Sequence, residues 1–419
     1  MVEHLIRRIQ ADAGDEAAFV ELGVALALTC NLAGLNECLT YRNARGGSGT
    51  ALAFDVCSRL IGAGHLETVL ALCQGFGDTN PFSAALHCAA SFVHFFRFEN
   101  AQGLALLREG VRRLVLLAEQ HPAETLPQPY LTKLVAAAFL FEPLDWPPAA
   151  AGADPGPLTL LHPGDRPGDR PNDWNDRDAV CAAFGDSVYF RTYGERLAGS
   201  FHAHAAAETA LLIGIVDADE AALALAAELS RRHPALTIAS CRYGGKRLPE
   251  YCCSARFLFA ETLLGMTGRP LILTDIDSEF APGSGEVLRM IRAFPLAHIR
   301  SREIWPQLLV DASVVGAHPG PAASAFFARV SGYVWAKLAE TGPLWTYDQV
   351  ALHRAIALLA RDGGTITNVN KVLPQRFHLP GFFKSGHALP LAEREKTRSN
   401  DRMALAGLGD DLKPLFTES

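Results

Sequence analysis

From Asp15 to about Phe141 the apolar residues recur at intervals of three and four, and the segments break at short Gly, Asn or Pro turns. This pattern predicts helices throughout, paired as Glu16–Cys30 with Leu32–Asn43, Leu52–Ile61 with Leu66–Gln74, and Phe82–Phe96 with Ala101–Glu119. A helix pair cannot bury its apolar face alone, so consecutive pairs are expected to stack into a solenoid.

Beyond Pro143 the composition turns to PPAAAGADPGP and GDRPGDRPNDWNDRD, which offer little to bury and read as a linker. After Asp178 short apolar runs alternate with helical stretches: DAVCAAFG and a helix through His202, ALLIGIVD and DEAALALAAELSRRH, LTIASC, then PLILTDIDSEF. Alternating strand and helix predicts an α/β sheet, mostly parallel, with ligands bound at the carboxyl ends of its strands. The expected division is a helical-repeat domain over 1–142, a linker over 143–177, an α/β domain over 178–395 and a tail over 396–419.

Composition adds limits rather than a function. With 419 residues, 49% hydrophobic and 20% charged, the chain can bury large cores, and its length suits two domains. The net charge of −7 argues against broad electrostatic binding to nucleic acid or to an anionic membrane. Nine cysteines without a CxxC pair do not suit a secreted disulfide framework, and a reducing cytoplasm is expected. MVEHLIRRIQADAGDE carries charges where a signal peptide needs an apolar core, and the apolar stretch from Ala18 is interrupted by Glu21, so neither export signal nor membrane span is expected.

Candidate chemistry begins where the apolar run Leu271–Thr274 ends in Asp275-Ile276-Asp277. Carboxylates at i and i+2 share a face of a strand, or converge in a turn, and can hold a hard cation such as Mg²⁺ or Mn²⁺. The alternative is a strand that closes in solvated acids. RGGSGT at Arg45–Thr50 lacks the lysine and the preceding strand of a phosphate loop and reads as a turn between helices. His202 and His204 lie two apart in a helix and point in nearly opposite directions, which does not suit a shared ion. Adjacent Cys252 and Cys253 read as small packing residues rather than a redox pair.

The segment SARFLFAETLLGMTGRPLILTDIDSEF, from Ser254, resembles the Arg-bearing helix and Asp-x-Asp strand of type A fold nucleotide-sugar glycosyltransferases, in the group that includes glycogenin and bacterial lipooligosaccharide galactosyltransferases. Three further stretches are similar to that group in the same order. AAFGDSVYFRTYG matches the strand and loop whose Asp and Tyr hold the nucleobase, which implies Asp186 and Tyr189, otherwise a loop Asp and a packed Tyr. WTYDQVALHRAIALL matches an Asp-Gln-x-x-Leu element, which implies Asp348 on a sugar and Gln349 near the anomeric carbon. Without that resemblance Asp348 caps a helix running to Leu359. His378-Leu-Pro-Gly381-Phe-Phe-Lys384 has the family's His-x-x-Gly-x-x-Lys spacing, which implies His378 as a third metal ligand and Gly381 with Lys384 at the diphosphate, with His387 as the competing ligand.

The resemblance spans about Asp178 to His387 and implies a glycosyltransferase type A domain, Mn²⁺ or Mg²⁺ as cofactor, a nucleoside-diphosphate sugar as donor, and Asp275 and Arg256 near its diphosphate or sugar. Arg256 is otherwise a surface helix arginine. The acceptor-side Asn-x-Gly segment of the family is replaced by DASVVGAHPG. In the helical half GLALLREGVRRLVLLAEQHP stops at a proline as tetratricopeptide repeats do, and such repeats would bind a protein partner or acceptor. Two other readings stay open: a haloacid dehalogenase-like phosphatase, which also places Asp-x-Asp after an apolar strand, and a helical-repeat adaptor with a degenerate transferase domain.

Overall fold

The computed structural model describes residues 1–120, 125–141, 155–161, 176–233, 235–245, 248–300, 304–339 and 347–371. They fall into two compact units: a helical one containing residues 1–141 and 304–309, and an α/β one containing 155–300 and 310–371.

The helical unit comprises α1 (Val2–Ala11), α2 (Glu16–Leu28), α3 (Leu32–Ala44), α4 (Gly49–Gly62), α5 (Leu66–Phe76), α6 (Ser83–Phe96), α7 (Asn100–Gln120) and α8 (Gln128–Leu140). Side-chain caps start three of them: Asp15 accepts from the Ala18 N–H, Asn31 from Gly34 and Ser48 from Ala51. The Ser48 cap makes RGGSGT the turn between α3 and α4 that was expected. Helix α2 packs on α4 and α4 on α6, while α3 packs on α5, so the hairpins stack as layers. The periodicity was read from Asp15 onward; α1 precedes it, its buried Leu5 and Ile9 lying one turn apart among charges.

The α/β unit contains β1 (Thr159–Leu161), β2 (Ala179–Asp186), α9 (Ser187–His204), β3 (Thr209–Val216), α10 (Glu220–Arg232), β4 (Leu236–Cys241), α11 (Leu248–Leu258), α12 (Ala260–Thr267), β5 (Leu271–Thr274), α13 (Ser284–Ile291), β6 (Leu296–Arg300), β7 (Val310–Ala317), α14 (Pro321–Ala339), α15 (Tyr347–Arg361) and β8 (Thr367–Asn368). The eight strands form one sheet in the order β1-β4-β3-β2-β5-β7-β6-β8. An all-helical unit followed by an α/β unit is the order of classes expected from the sequence. Two details differ. The sheet is parallel in four of its seven pairings, β2–β3, β2–β5, β3–β4 and β6–β8, but it is not purely so: β7 runs antiparallel to both β5 and β6, because no crossover helix separates β6 from β7. And the segment expected to be a linker contributes β1, which pairs antiparallel with β4; its short apolar run Thr159-Leu160-Leu161 gives an edge strand something to bury.

Strand order sets where ligands can bind. From β2 the chain adds β3 and then β4 on one side, and returns to place β5 on the other. The carboxyl ends of β2 and β5 therefore flank the crevice at which open α/β sheets take ligands. Phe184, two residues before the end of β2, is buried, stacks on Phe259 at 5.3 Å with ring planes 5° apart, and lies over Gly214 of β3. A Cβ at Gly214 would fall 2.2 Å from the Phe184 ring. Gly214→Ala is thus expected to cost about 1–3 kcal/mol by overpacking, with Phe184→Leu in the same chain recovering part of the loss. Denaturant unfolding of the single and double variants measures both.

Candidate active site

Four chain segments meet beside that crevice around one guanidinium. Arg256, in the last turn of α11, is 2% exposed. Its Nη1 lies 2.8 Å from Asp275 Oδ1; its Nη2 donates to Asp348 Oδ2 at 3.2 Å and to the Ala312 carbonyl of β7 at 3.1 Å. Local structure explains each placement. Helix α11 packs across β2, which buries its carboxyl-terminal turn. After β5 the chain makes a tight turn in which the Ser278 N–H donates to the Asp275 carbonyl at 3.2 Å and the Thr274 and Ser278 hydroxyls meet at 3.0 Å. Helix α15 is buried round most of its first half, at Val350, Ala351, Leu352, His353, Ala355 and Ile356, and Asp348 is buried with it in the first turn. There Asp348 Oδ1 accepts from the Gln349 N–H at 2.8 Å while Oδ2 faces Arg256. Asp348 is therefore both a first-turn acceptor and a partner in a buried ion pair.

The electrostatics follow from burial of three carboxylates with one guanidinium among the described residues. Burial pushes the Asp348 carboxyl up to about 6, with the Asp275 charge adding to it and Arg256 opposing. Asp277 also rises to about 6, through burial and then the neighbouring Asp275 charge, against Arg256. Asp275 is raised by burial, opposed by Arg256, with Asp311 of β7 contributing repulsion. Burial disfavours the Arg256 charge, yet the surrounding carboxylates outweigh it and hold its pKa above the ordinary value. Asp275 keeps 29% of its side chain exposed and Arg256 only 3%, so the cluster presents carboxylate, not guanidinium, to the crevice. Among the described residues Gln349 Oε1 is buried without a hydrogen-bond partner.

The nucleobase candidates lie next to this cluster. Asp186 ends β2 and caps α9, accepting from the Tyr189 N–H at 2.8 Å. A Cβ on Gly185 would stand 2.9 Å from Ile276 Cδ1 and 3.2 Å from Tyr189 Cβ, so the Asp186–Tyr189 turn adjoins the Asp275-Ile276-Asp277 turn. Tyr189 stands 5.6 Å, ring to ring, from Tyr193. His378, Gly381 and Lys384, together with the competing His387, lie outside the described residues.

Several neighbours escaped the sequence reading. Asp217 closes β3 with a left-handed φ of 51°, accepts from the Tyr243 N–H at 2.9 Å, and offers its carbonyl to the Ser187 hydroxyl at 3.0 Å. It ties together the carboxyl ends of β2, β3 and β4, and its position at the end of IVD was a usable signal. Asp311 and Ala312 gave none, because they open an antiparallel strand whose amino end lies at the same rim as the carboxyl end of β5.

Among the described residues no three His, Cys, Asp or Glu side chains converge to hold a metal ion. His202 and His204 instead line a cavity of about 190 Å³ with Glu208 and Arg289, at the start of β3 and away from the strands' carboxyl ends. Burial raises the thiols of Cys252 and Cys253, which suits packing rather than reactivity. Among the described residues no helix is long and apolar enough to cross a membrane.

No family profile matches the chain, and no curated protein matches it in sequence. Solved structures similar to it include the apo form of WbbM, a bifunctional glycosyltransferase (13% identity over 44% of this chain and 38% of that one, TM-score 0.33). Another is the apo form of the glycosyltransferase GlyE from Streptococcus pneumoniae TIGR4 (16% identity, 46% of each chain, TM-score 0.34). A third is mouse xyloside xylosyltransferase 1 (11% identity, 45% of this chain and 84% of that one, TM-score 0.30). The chain spans less than half the length of the first two.

Removing the central cation should unmask the repulsion it offsets. Arg256→Met is expected to cost about 3–5 kcal/mol, the usual penalty for stranding buried charges. Adding Asp348→Asn should return part of it by removing one of the stranded carboxylates. Urea unfolding at pH 7.5 distinguishes this from a simple packing loss, which Asp348→Asn would not relieve.

Proposed function

We propose that the α/β unit is a glycosyltransferase that moves a sugar from a nucleoside-diphosphate donor to an acceptor hydroxyl. The observation that carries this reading is the meeting of Asp275, Arg256 and Asp348, remote in sequence, beside the switch-point crevice and next to the Asp186–Tyr189 turn. The sequence resemblance to type A fold glycosyltransferases expects these three residues near one donor site.

Breaking the bond to the diphosphate builds negative charge on the leaving group. The exposed edge of the cluster fits a hard divalent cation: two carboxylates two residues apart, one of them held near pKa 6 by burial and by the other's charge. Asp275 and Asp277 would hold Mn²⁺ or Mg²⁺, with His378 as the third ligand and His387 as its rival. When bound, the ion supplies positive charge to the departing diphosphate. The chain's own residues do the rest. Asp186 accepts from the base edge and Tyr189 stacks on its face. Lys384 and the backbone at Gly381 hold the diphosphate. Asp348 binds a sugar hydroxyl, and the unpartnered Gln349 Oε1 accepts near the anomeric carbon. Arg256, with both terminal nitrogens engaged by protein, positions Asp275 and Asp348 rather than reaching past them to the donor. The stacked hairpins would bind a protein partner or acceptor, and the free cysteines suit a cytoplasmic setting.

A screen of nucleotide sugars for hydrolysis in the presence of Mn²⁺ tests the reading and names the donor. Activity on a generic phosphomonoester alone would favour the phosphatase reading instead. The absence of both activities, with no binding of Mn²⁺ or nucleotide, would favour an adaptor with a degenerate domain.

Asp277→Ala is expected to leave the fold intact and to abolish both Mn²⁺ binding and donor turnover; full turnover in that variant, or in excess chelator, would exclude the metal site. The pH dependence has a definite sign. Mn²⁺ binds ionised carboxylates and competes with protons on Asp277, so its affinity should be constant above about pH 7 and fall as the pH drops through about 6. Calorimetric titration of Mn²⁺ between pH 5 and 8 measures it.

A further inference from the structure

Strand order also fixes what meets at the other rim of the sheet. From β2 through β3 to β4 the strands are added in one direction, so right-handed crossovers lay α9 and α10 side by side on one face, with their carboxyl-terminal ends together at the rim opposite the candidate active site. Ala198 of α9 and Leu229 of α10 are buried where these helices pack on the sheet. One turn later along each helix stands a histidine. His202 lies in the last turn of α9, and His233 is the C-cap of α10, where the backbone leaves the helix at φ −126° and ψ 92°. Their rings stand 5.3 Å apart, centre to centre, with planes inclined at 56°. The partner of His202 is thus this distant histidine, not its sequence neighbour His204.

That spacing has a chemical meaning. Two imidazoles that each give one nitrogen to a tetrahedral ion, at about 2.0–2.1 Å, hold their ring centres roughly 5 Å apart. A plain ring contact has a similar spacing, but it leaves the ring nitrogens to find partners elsewhere. Among the described residues His233 Nδ1 is buried and has none. A buried ring nitrogen in that condition is costly, and a metal at that nitrogen satisfies it. The backbone favours the same charge, because the negative ends of two helix dipoles converge here. The adjacent Arg232 guanidinium is drawn off by Glu195 at 2.9 Å and Glu228 at 3.7 Å.

We propose that His202 and His233 are the two protein ligands of a site for Zn²⁺ or a similar borderline cation, which clips the carboxyl-terminal end of α9 to that of α10. Among the described residues no third His, Cys, Asp or Glu joins them, so water completes the shell. Imidazole selects Zn²⁺, Ni²⁺ and Cu²⁺, whereas Mg²⁺ and Mn²⁺ prefer oxygen ligands, so this site differs in chemistry from the Asp275–Asp277 pair. It differs in place as well: at 1.5 Å per residue, α9 sets His202 about 24 Å from Asp186. Nothing in it depends on glycosyl transfer.

Calorimetric titration of Zn²⁺ into the full chain carrying Asp277→Ala tests the site, since that background lacks one ligand of the proposed Mn²⁺ site. A Zn²⁺-binding step is expected whose dissociation constant rises roughly tenfold or more in both His202→Ala and His233→Ala, at least the cost of losing an outer-shell partner, while His204→Ala leaves it unchanged. Saturating Zn²⁺ should also raise the thermal midpoint of the Asp277→Ala chain, a rise that His202→Ala and His233→Ala both remove. Where an alanine variant loses its fold, His202→Gln and His233→Gln, which keep a polar side chain, give the same reading. A titration that neither histidine variant alters, or that only one of them alters, overturns the site. So does an equal weakening in His204→Ala.

Discussion

A guanidinium almost sealed from water is held between two carboxylates and a carbonyl, and every other feature of the α/β site depends on that arrangement. Dehydrating an arginine costs several kcal/mol, so Arg256 is tolerable in its place only while Asp275, Asp348 and Ala312 all stay within hydrogen-bonding reach. The requirement is strict because the three partners come from different elements: the turn after β5, the first turn of α15 and the start of β7. A helix that slid or a strand that slipped by one residue would strand a buried charge. The ion pairs therefore fix register more than they add stability, and they hold the edge of a crevice that strand order alone would only outline.

Among the described residues the same cluster is unbalanced in charge. Asp275, Asp277 and Asp348 surround one arginine, with Asp311 adding its field, and the excess is visible as carboxyl groups raised towards neutrality. Such a site takes up protons more readily than isolated carboxylates do, and the side that it shows to the crevice is the acidic one. Mutual repulsion in a partly dry pocket is a pre-organised preference for a positive ligand. An anionic donor approaching this edge would meet repulsion unless a cation came with it, which is why the metal and the donor belong to one proposal.

What could be read in the sequence was local. Asp-Ile-Asp after an apolar run, and Asp-Gln at the head of a periodic helix, each declare their setting within a few residues, and both sit where such settings imply. The helical hairpins were visible in the same way, because a period near 3.6 needs no distant partner to be recognised. Arg256 was legible as an arginine of interest but not as a buried one, since burial is decided by α11 lying over β2. Asp311 and Ala312 were illegible for a geometric reason: a rule that searches the carboxyl ends of strands misses the amino end of an antiparallel neighbour. Thr159–Leu161 was lost among prolines and glycines, although three apolar residues suffice for an edge strand. Trp305 gave no periodic signal at all, because one residue in a non-repeating segment becomes core only through helices far away in the chain.

Strand β7 is where these two kinds of information meet. Pairing with β5 covers Val314–Ala317, and β6 pairs with both ends of the strand, Val315–Ala317 and Val310–Asp311, so the register break between His298 and Ile299 leaves Ala312 to Val314 without a β6 partner. Ala312 lies in that stretch, and its carbonyl accepts from Arg256 Nη2 at 3.1 Å. A strand that breaks its pairing on one side thus turns a backbone acceptor towards a buried guanidinium, which an unbroken ladder would have used for a neighbouring amide.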